Sequence, residues 1–200
     1  MSDHYYTPKP VAAHDLRMIR QSLRGRDFQF VTDAGVFSKN AIDFGSRLLI
    51  ESVEVAEDAK VLDVGCGYGP IGIAVAAEVS LGSVTMIDIN ERAVELAREN
   101  ARRNGLANVK VMQSNMLEQV LDDRFHCILT NPPIRAGKAV VHQIFEQAYH
   151  CLLPSGQLWV VIQKKQGAPS AKLKLEEMFG QVEEITKDKG YRIFKATKTV

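Results

Sequence analysis

From Asp58 onward the chain repeats one rhythm: an apolar run, a turn carrying glycine, an amphipathic stretch of helical period, then another apolar run. Few architectures accept that order. Runs near 60–64, 84–88, 109–113, 125–130 and 157–163 read as strands, and the stretches near 70–79, 91–104 and 138–151 read as helices. Strands alternating with helices of this length build βαβ units, whose right-handed crossovers make the sheet parallel. The end of the chain breaks the rhythm. After a helix near 169–179, runs at 182–185 and 191–195 are separated only by a short turn containing Lys189 and Gly190, which makes them an antiparallel hairpin at one edge. The expectation is an α/β fold: a mostly parallel seven-stranded sheet with a C-terminal antiparallel hairpin and helices on both faces.

Upstream, Leu16, Ile19 and Leu23 recur at near-helical spacing and predict a short helix over 15–24. Alternation at 28–31 predicts a strand, Asp33-Ala34-Gly35 a turn, and 41–51 a helix with Ile42, Leu48 and Leu49 facing inward. Residues 1 to about 13 are polar, contain Pro8 and Pro10, and are expected to form a loose tail. A small helix and hairpin extension over 1–26 would therefore precede a core over 27–200. With 200 residues, 46% of them hydrophobic, the chain can bury one substantial core, so one domain is expected. No apolar run approaches the ~18 residues of a membrane span, and the opening lacks the order of a secretory signal, so the expected location is cytoplasmic, away from membranes. Cys66, Cys127 and Cys151 have no CxxC spacing and read as buried thiols, not metal ligands. A net charge of +1 does not advertise a polyanion binder, although averaging can hide a basic face.

The run Val61-Leu62-Asp63-Val64-Gly65-Cys66-Gly67-Tyr68-Gly69-Pro70 sets three alternate glycines between a strand and a helix. Glycines there let the backbone turn tightly and approach a ligand, with helix N–H groups aimed at it. The dinucleotide fingerprint wants a glycine where this chain has Pro70, and it does not call for Asp63 in the strand before the loop. An acid at a sheet's carboxyl edge suits a ligand with a positive amine, because an unpaired buried carboxylate is costly. Asp88 ends the next strand, where a carboxylate can accept from a ribose diol. Farther along the same edge, Asn115 could read an adenine edge while Ile89 and Met116 sandwich the ring. Gly65, Cys66, Gly67 and Gly69 complete this candidate cofactor set, in which the Asp88 feature is common to dinucleotide and S-adenosylmethionine enzymes and does not separate them.

DVGCGYG, the acid-ended strand after it and a later Asn131-Pro132-Pro133 resemble the class I S-adenosylmethionine-dependent methyltransferases. The block from Phe28 through Gly35-Val36-Phe37-Ser38 to Ile42-Asp43 and Gly45-Ser46 is similar, more narrowly, to the methyltransferase small domain group. That group contains ribosomal RNA guanine-N2 methyltransferases. The resemblance implies a Rossmann-like fold, S-adenosyl-L-methionine as cofactor and an exocyclic base amine as substrate. Two departures stand out. The best-known members are double-length, and Ile134 stands where an aromatic residue commonly follows NPP.

An exocyclic amine is a poor nucleophile because its lone pair is delocalised into the ring. Two acceptors, the Asn131 side-chain oxygen (also next to the cofactor) and the Pro132 carbonyl, would each take a hydrogen bond from it and leave the lone pair aimed at the methyl group. Pro132 and Pro133 supply rigidity: proline fixes its own φ near −65° and pushes the preceding residue toward extended backbone. No catalytic histidine is assigned.

For the substrate, Phe30, Phe37 or Tyr68 could stack on a flipped-out base in place of the aromatic absent at Ile134. Arg135, Lys138, Lys164 and Lys165, with Arg17, Arg20, Arg24 and Arg26, could form a phosphate-tracking rim. The expected partner is RNA, as ribosomal RNA or a ribosomal subunit, with a homodimer left open in place of the second half. Methylation of a protein glutamine or DNA adenine is the alternative, against which Ile134 counts. A noncatalytic RNA-binding module of ribosome assembly is the third reading, against which Asp63, Asp88 and Asn131 count.

Overall fold

Residues 17–23 form a strand, not the helix their Leu16, Ile19 and Leu23 spacing suggested. In the computed structural model, which describes residues 6–199, β1 (Arg17–Leu23) pairs antiparallel with β2 (Arg26–Thr32). Arg24 and Gly25 between them both have positive φ, 50° and 72°, as a two-residue hairpin turn of matching twist requires. Ile19, Gln21 and Leu23 face inward at period two, and that alternation decides the structure. The hairpin stays outside the main sheet. Asn100 and Asn104 offer their side-chain amides to it like a strand edge: Val31 N–H donates to Asn100 Oδ1 at 2.7 Å, and Asn100 Nδ2 donates back to Val31 O at 2.9 Å.

The helix expected at 41–51 is α1 (Phe44–Ser52). Asp43 caps it, accepting from Ser46 N at 3.1 Å. Then come β3 (Lys60–Val64), α2 (Pro70–Ala76), β4 (Ser83–Asp88), α3 (Glu91–Arg103), β5 (Val109–Gln113), β6 (Phe125–Thr130), α4 (Lys138–Cys151) and β7 (Leu152–Gln163), followed by α5 (Ala168–Phe179), β8 (Gln181–Asp188) and β9 (Tyr191–Thr197). The seven-stranded sheet has the order β5-β4-β3-β6-β7-β9-β8. β3 through β7 are parallel, and β9 and β8 close one edge antiparallel. Lys189 and Gly190, with φ of 46° and 80°, make the second two-residue turn. β7 starts earlier than the sequence suggested, because Leu152 pairs with Phe125 before the register shifts to Cys127 opposite Gln157.

Both sheet faces are covered, which is why the parallel strands read as unbroken apolar runs. Val61, Leu129 and Trp159 pack under α1, α2 and α3 on one face. Leu62, Ile128 and Leu158 meet α4 and α5 on the other. The three thiols are free and buried. Among the described residues no helix is long and apolar enough to cross a membrane.

The tail expected to be loose over 1 to about 13 is fastened where it is described, residues 1–5 lying outside the described residues. Pro8 O accepts from Glu91 N at 3.0 Å, and Ala12 O accepts from Arg92 Nη2 at 2.9 Å. Residues 6–12 thus run across the start of α3.

Candidate active site

Strand order reverses between β3 and β6, and in open α/β sheets ligands settle at the carboxyl ends of the strands at such a point. Thr130 Oγ1 donates to Val64 O at 3.0 Å, tying the two strand ends together. Asn131 and Gly65 therefore leave the sheet side by side, at a crevice of about 400 Å³ that both line.

On the β3 side the chain turns at once. Gly65 and Cys66 both donate to Ile87 O, at 2.9 and 3.0 Å, and Gly67 N donates to Asp88 Oδ2 at 2.8 Å. Gly67 has φ +57°, and a Cβ there would meet no atom within 4 Å, so its missing side chain leaves backbone open to the crevice. Asp88 accepts from Asn90 N as well, at 2.8 Å. Burial pushes its pKa up to about 6 against the pull of these N–H groups. Asp63 lies deeper and is fully buried. Its Oδ2 accepts from Gly72 N at 2.8 Å, while Oδ1 has no partner among the described residues. Burial raises its pKa to about 7; the Gly72 N–H opposes that and the Asp88 charge adds to it.

On the β6 side, the Asn131 amide nitrogen donates to Ser46 Oγ at 3.0 Å and faces the Asp43 carboxylate at 3.4 and 3.5 Å. A carboxylate only accepts, so this neighbour dictates that the NH2 end faces α1 and the oxygen end faces away. Pro132 and Pro133 follow along the crevice wall.

The crevice gathers Gly65, Gly67, Asp88, Ile89, Asn115 and Met116 with Asn131, Pro132, Pro133, Phe37 and Arg135. Asn115 donates from its Nδ2 to Glu118 at 2.7 Å, which occupies one of the two donors of the amide. Cys66 and Gly69 sit behind the turn: the Cys66 thiol donates to Gly67 O at 3.4 Å, and Gly69 O accepts from Ile73 N. Phe30 is a correction. Its ring is buried on the inner face of β2 against Phe28 and Tyr68, and Tyr68 is itself buried with its hydroxyl donating to Ser38 O, so neither ring can meet a base. Ile134 and Lys138 line a neighbouring cavity of about 100 Å³, and Lys164 and Lys165 are exposed on a short 3-10 turn after β7. Of the N-terminal arginines, Arg17 and Arg24 are engaged within the fold. Arg24 donates to Ile50 O and Val53 O at the end of α1, and Arg17 is held by Asp15 and Asn40.

Several crevice residues escaped the sequence reading. Asn90, the cap of α3, lines it and donates to Gly35 O at 2.8 Å; its place two residues after Asp88 was the available signal. Ser114 is buried beside Met116. Tyr6 reaches the crevice from the N-terminal segment, and no local pattern announces it.

The family model described as "Methyltransferase small domain" matches residues 27–195. A Bacillus subtilis protein named "Uncharacterized protein YbxB" is 55% identical over 200 residues, 99% of this chain and 100% of its own. The ribosomal RNA large subunit methyltransferase G of Psychromonas ingrahamii is 31% identical over 86% of this chain and 46% of its own. The ribosomal RNA small subunit methyltransferase C of Hamiltonella defensa is 32% identical, covering 86% and 51%. Among solved structures, the T. thermophilus 16S rRNA N2 G1207 methyltransferase in complex with AdoMet and guanosine superposes with a TM-score of 0.81 at 25% identity, over 94% of this chain and 52% of that one. The chain thus spans the whole of the Bacillus relative and about half the length of the named ribosomal RNA methyltransferases.

Proposed function

The chain belongs to the methyltransferase small domain family, and from that premise we propose that it transfers a methyl group from S-adenosyl-L-methionine to an exocyclic amine of ribosomal RNA, guanine N2 being the target. Residues 27–200 would form the catalytic core and the residues before them an extension of it. The observation that carries this reading is the pairing, in one crevice, of a glycine turn with an Asn131 amide whose nitrogen is engaged by Asp43 and Ser46, leaving its oxygen as the end available to a substrate amine.

S-adenosyl-L-methionine is the family's cofactor, and the residues present fit it. Fully buried Asp63 keeps one carboxylate oxygen without a partner, the atom a positively charged amine would satisfy. Gly65 and Gly67 leave open space where side chains would stand. Asp88 lines the wall where a ribose diol would donate to its carboxylate, with Ile89 and Met116 beside it. When bound, the cofactor supplies an electrophilic methyl group on a sulfonium.

The chain's own contribution is positioning. Asn131 Oδ1 and the Pro132 carbonyl would accept the two N–H bonds of the substrate amine, which pulls its lone pair out of conjugation and holds it in attack geometry. The prolines make these acceptors rigid. The same carbonyl dipoles face the amine as positive charge moves onto it, stabilisation that needs no reorganisation at the moment of reaction. No strong base is required, because a methylated amine becomes acidic and can release its proton to water. Phe37, Pro133, Val140 and Ile144 give the crevice apolar walls that limit water.

Incubation with methyl-labelled cofactor and, separately, naked ribosomal RNA, ribosomal subunits, DNA and a release-factor-like protein tests the reading. Label is expected in RNA, recovered as N2-methylguanosine. Asn131→Ala should lower kcat by about 10²–10³ while leaving the dissociation constant for S-adenosylhomocysteine within about twofold. Label only in protein or DNA would overturn the RNA assignment, and methylation at a ring nitrogen would overturn the amine mechanism.

A further inference from the structure

Asn131 presents a difficulty that its own sequence position does not solve. A primary amide has nearly the same shape both ways round, yet one orientation offers the crevice an acceptor and the other offers two donors. A substrate amine is itself a donor, so a flipped Asn131 would meet it N–H against N–H. Something has to set the orientation.

We propose that Asp43 is a positioning residue for methyl transfer: its carboxylate, fixed at the cap of α1, holds the Asn131 amide with its oxygen toward the substrate. This rests on the exocyclic-amine reading above and deepens it. Asp43 stands 3.4 and 3.5 Å from Asn131 Nδ2 through its two oxygens, long for a hydrogen bond, so it acts mainly by electrostatic orientation. Ser46 supplies the shorter contact, 3.0 Å, but a hydroxyl both donates and accepts and would tolerate either orientation. Only the carboxylate discriminates. Flipping the amide would put its oxygen against two anionic oxygens.

Asp43 is itself held from several sides. Its Oδ1 accepts from Ser46 N at 3.1 Å, and its carbonyl accepts from Arg47 N at 3.0 Å. Behind it, Leu49 and Ile50 seat α1 in the core. Gly45 lies against the Tyr191 ring so closely that a Cβ would come within 2.7 Å of it. The segment Ile42-Asp43-Phe44-Gly45-Ser46 thereby acquires a task beyond starting a helix: it presents one carboxylate and one hydroxyl to an asparagine 88 residues away.

Asp43→Asn tests this with little threat to the fold, since asparagine caps helices as well as aspartate does. Cap geometry keeps the new amide oxygen on Ser46 N, so its NH2 falls where the second carboxylate oxygen stood, turning an acceptor beside Asn131 Nδ2 into a donor. The retained oxygen, 3.4 Å from Asn131 Nδ2, still favours the competent orientation while the new NH2 opposes it, so the Asn131 amide should then divide between its two orientations. Since only the competent fraction turns over, kcat should fall about three- to tenfold. The RNA KM and the S-adenosylhomocysteine affinity should stay within about twofold, a split that a merely structural role would not produce.

Two further readouts isolate the pathway. Introduced into Asn131→Ala, Asp43→Asn should cause no additional loss of single-turnover rate, because the residue it acts through is already gone. By NMR, the Asn131 side-chain NH2 protons, identified by their disappearance in Asn131→Ala, should exchange slowly in the wild type and faster in Asp43→Asn. A wild-type kcat in Asp43→Asn, an equal further loss on top of Asn131→Ala, or unchanged amide exchange would each overturn the proposal. Should the wild type methylate no RNA at all, the proposed function fails on its own account, and amide exchange then decides the orientation claim.

Discussion

Asp63→Asn separates the electrostatic work of the crevice from its shape. In the wild type, burial holds the Asp63 pKa near 7 against an ordinary value of 3.8. At 1.36 kcal/mol per pKa unit, carrying the ionised form at pH 8 costs the folded chain up to about 4 kcal/mol, an upper bound because a real interior relaxes around a charge. The direction follows from proton counting. Between about pH 4 and 7 the folded chain retains a proton that the unfolded chain has released, so unfolding free energy falls as pH rises through that window. Asp88, raised to about 6, adds the same sign over the lower part and is retained in the variant. Urea unfolding from pH 5 to 8 should therefore show the wild type losing up to about 3 kcal/mol more than Asp63→Asn does, because only the part of the window above pH 5 is sampled. Histidine contributions cancel in that difference. Calorimetry with S-adenosylhomocysteine reads the other side: wild-type affinity should strengthen as pH rises through about 7. Asp63→Asn should bind ~10–100-fold more weakly at pH 8 and lose that pH dependence, as removal of a charged hydrogen-bond partner implies. Parallel stability profiles in the two proteins, or undiminished affinity in Asp63→Asn, would refute the assignment of Asp63 as the buried anion that an amine satisfies.

Gly67→Ala should lower stability by only about 1 kcal/mol, the cost of a left-handed alanine with no steric clash. Its methyl group would nevertheless stand in the cofactor space, so S-adenosylhomocysteine affinity should fall at least about tenfold by calorimetry, a loss far larger than the stability change predicts. Arg92→Ala removes the guanidinium that lies 3.7 Å from buried Asp33 and donates to Ala12 O and Ala34 O. Burial alone would raise the Asp33 pKa, but hydrogen bonds from Asp15 N, His14 and Ala34 N, with the Arg92 charge, bring it below the ordinary value. A carboxylate of depressed pKa stabilises the fold above its unfolded value and loses that contribution as pH falls. The variant should be about 3 kcal/mol less stable to urea at pH 7, and its acid unfolding should begin at higher pH.

What the residues disclosed and what they hid divide by the distance over which each element finds its partner. The glycine turn is readable because its strand, glycines and helix are contiguous: Asp63, Gly65, Gly67 and Pro70 fall within eight positions, although the Gly65 and Gly67 N–H groups also reach Ile87 and Asp88 on the next strand. The hairpin at 181–197 is readable for the same reason, its turn being two residues. The misreadings lie where the partner is remote. Residues 17–23, whose apolar spacing is compatible with helix, pair with β2 across a turn of only two residues, and what is remote is the group that docks the hairpin, Asn100, some seventy positions on. Phe30 looks like an aromatic ready to stack until Phe28 and Tyr68 enclose it. Arg24 looks like part of a phosphate rim until the carbonyls of Ile50 and Val53 claim it. Tyr6 and Asp43 are the cases with consequences for function. Tyr6 has no local signature beyond its residue type, and Asp43, although it falls in the block that resembles the family, meets Asn131 only once the fold brings the cap of α1 to the end of β6. A short motif can thus reveal which groups would do chemistry while concealing which groups orient them. That asymmetry follows from the physics: a reacting group must be presented by its own backbone, whereas an orienting group needs only to arrive within about 3.5 Å, from anywhere in the chain.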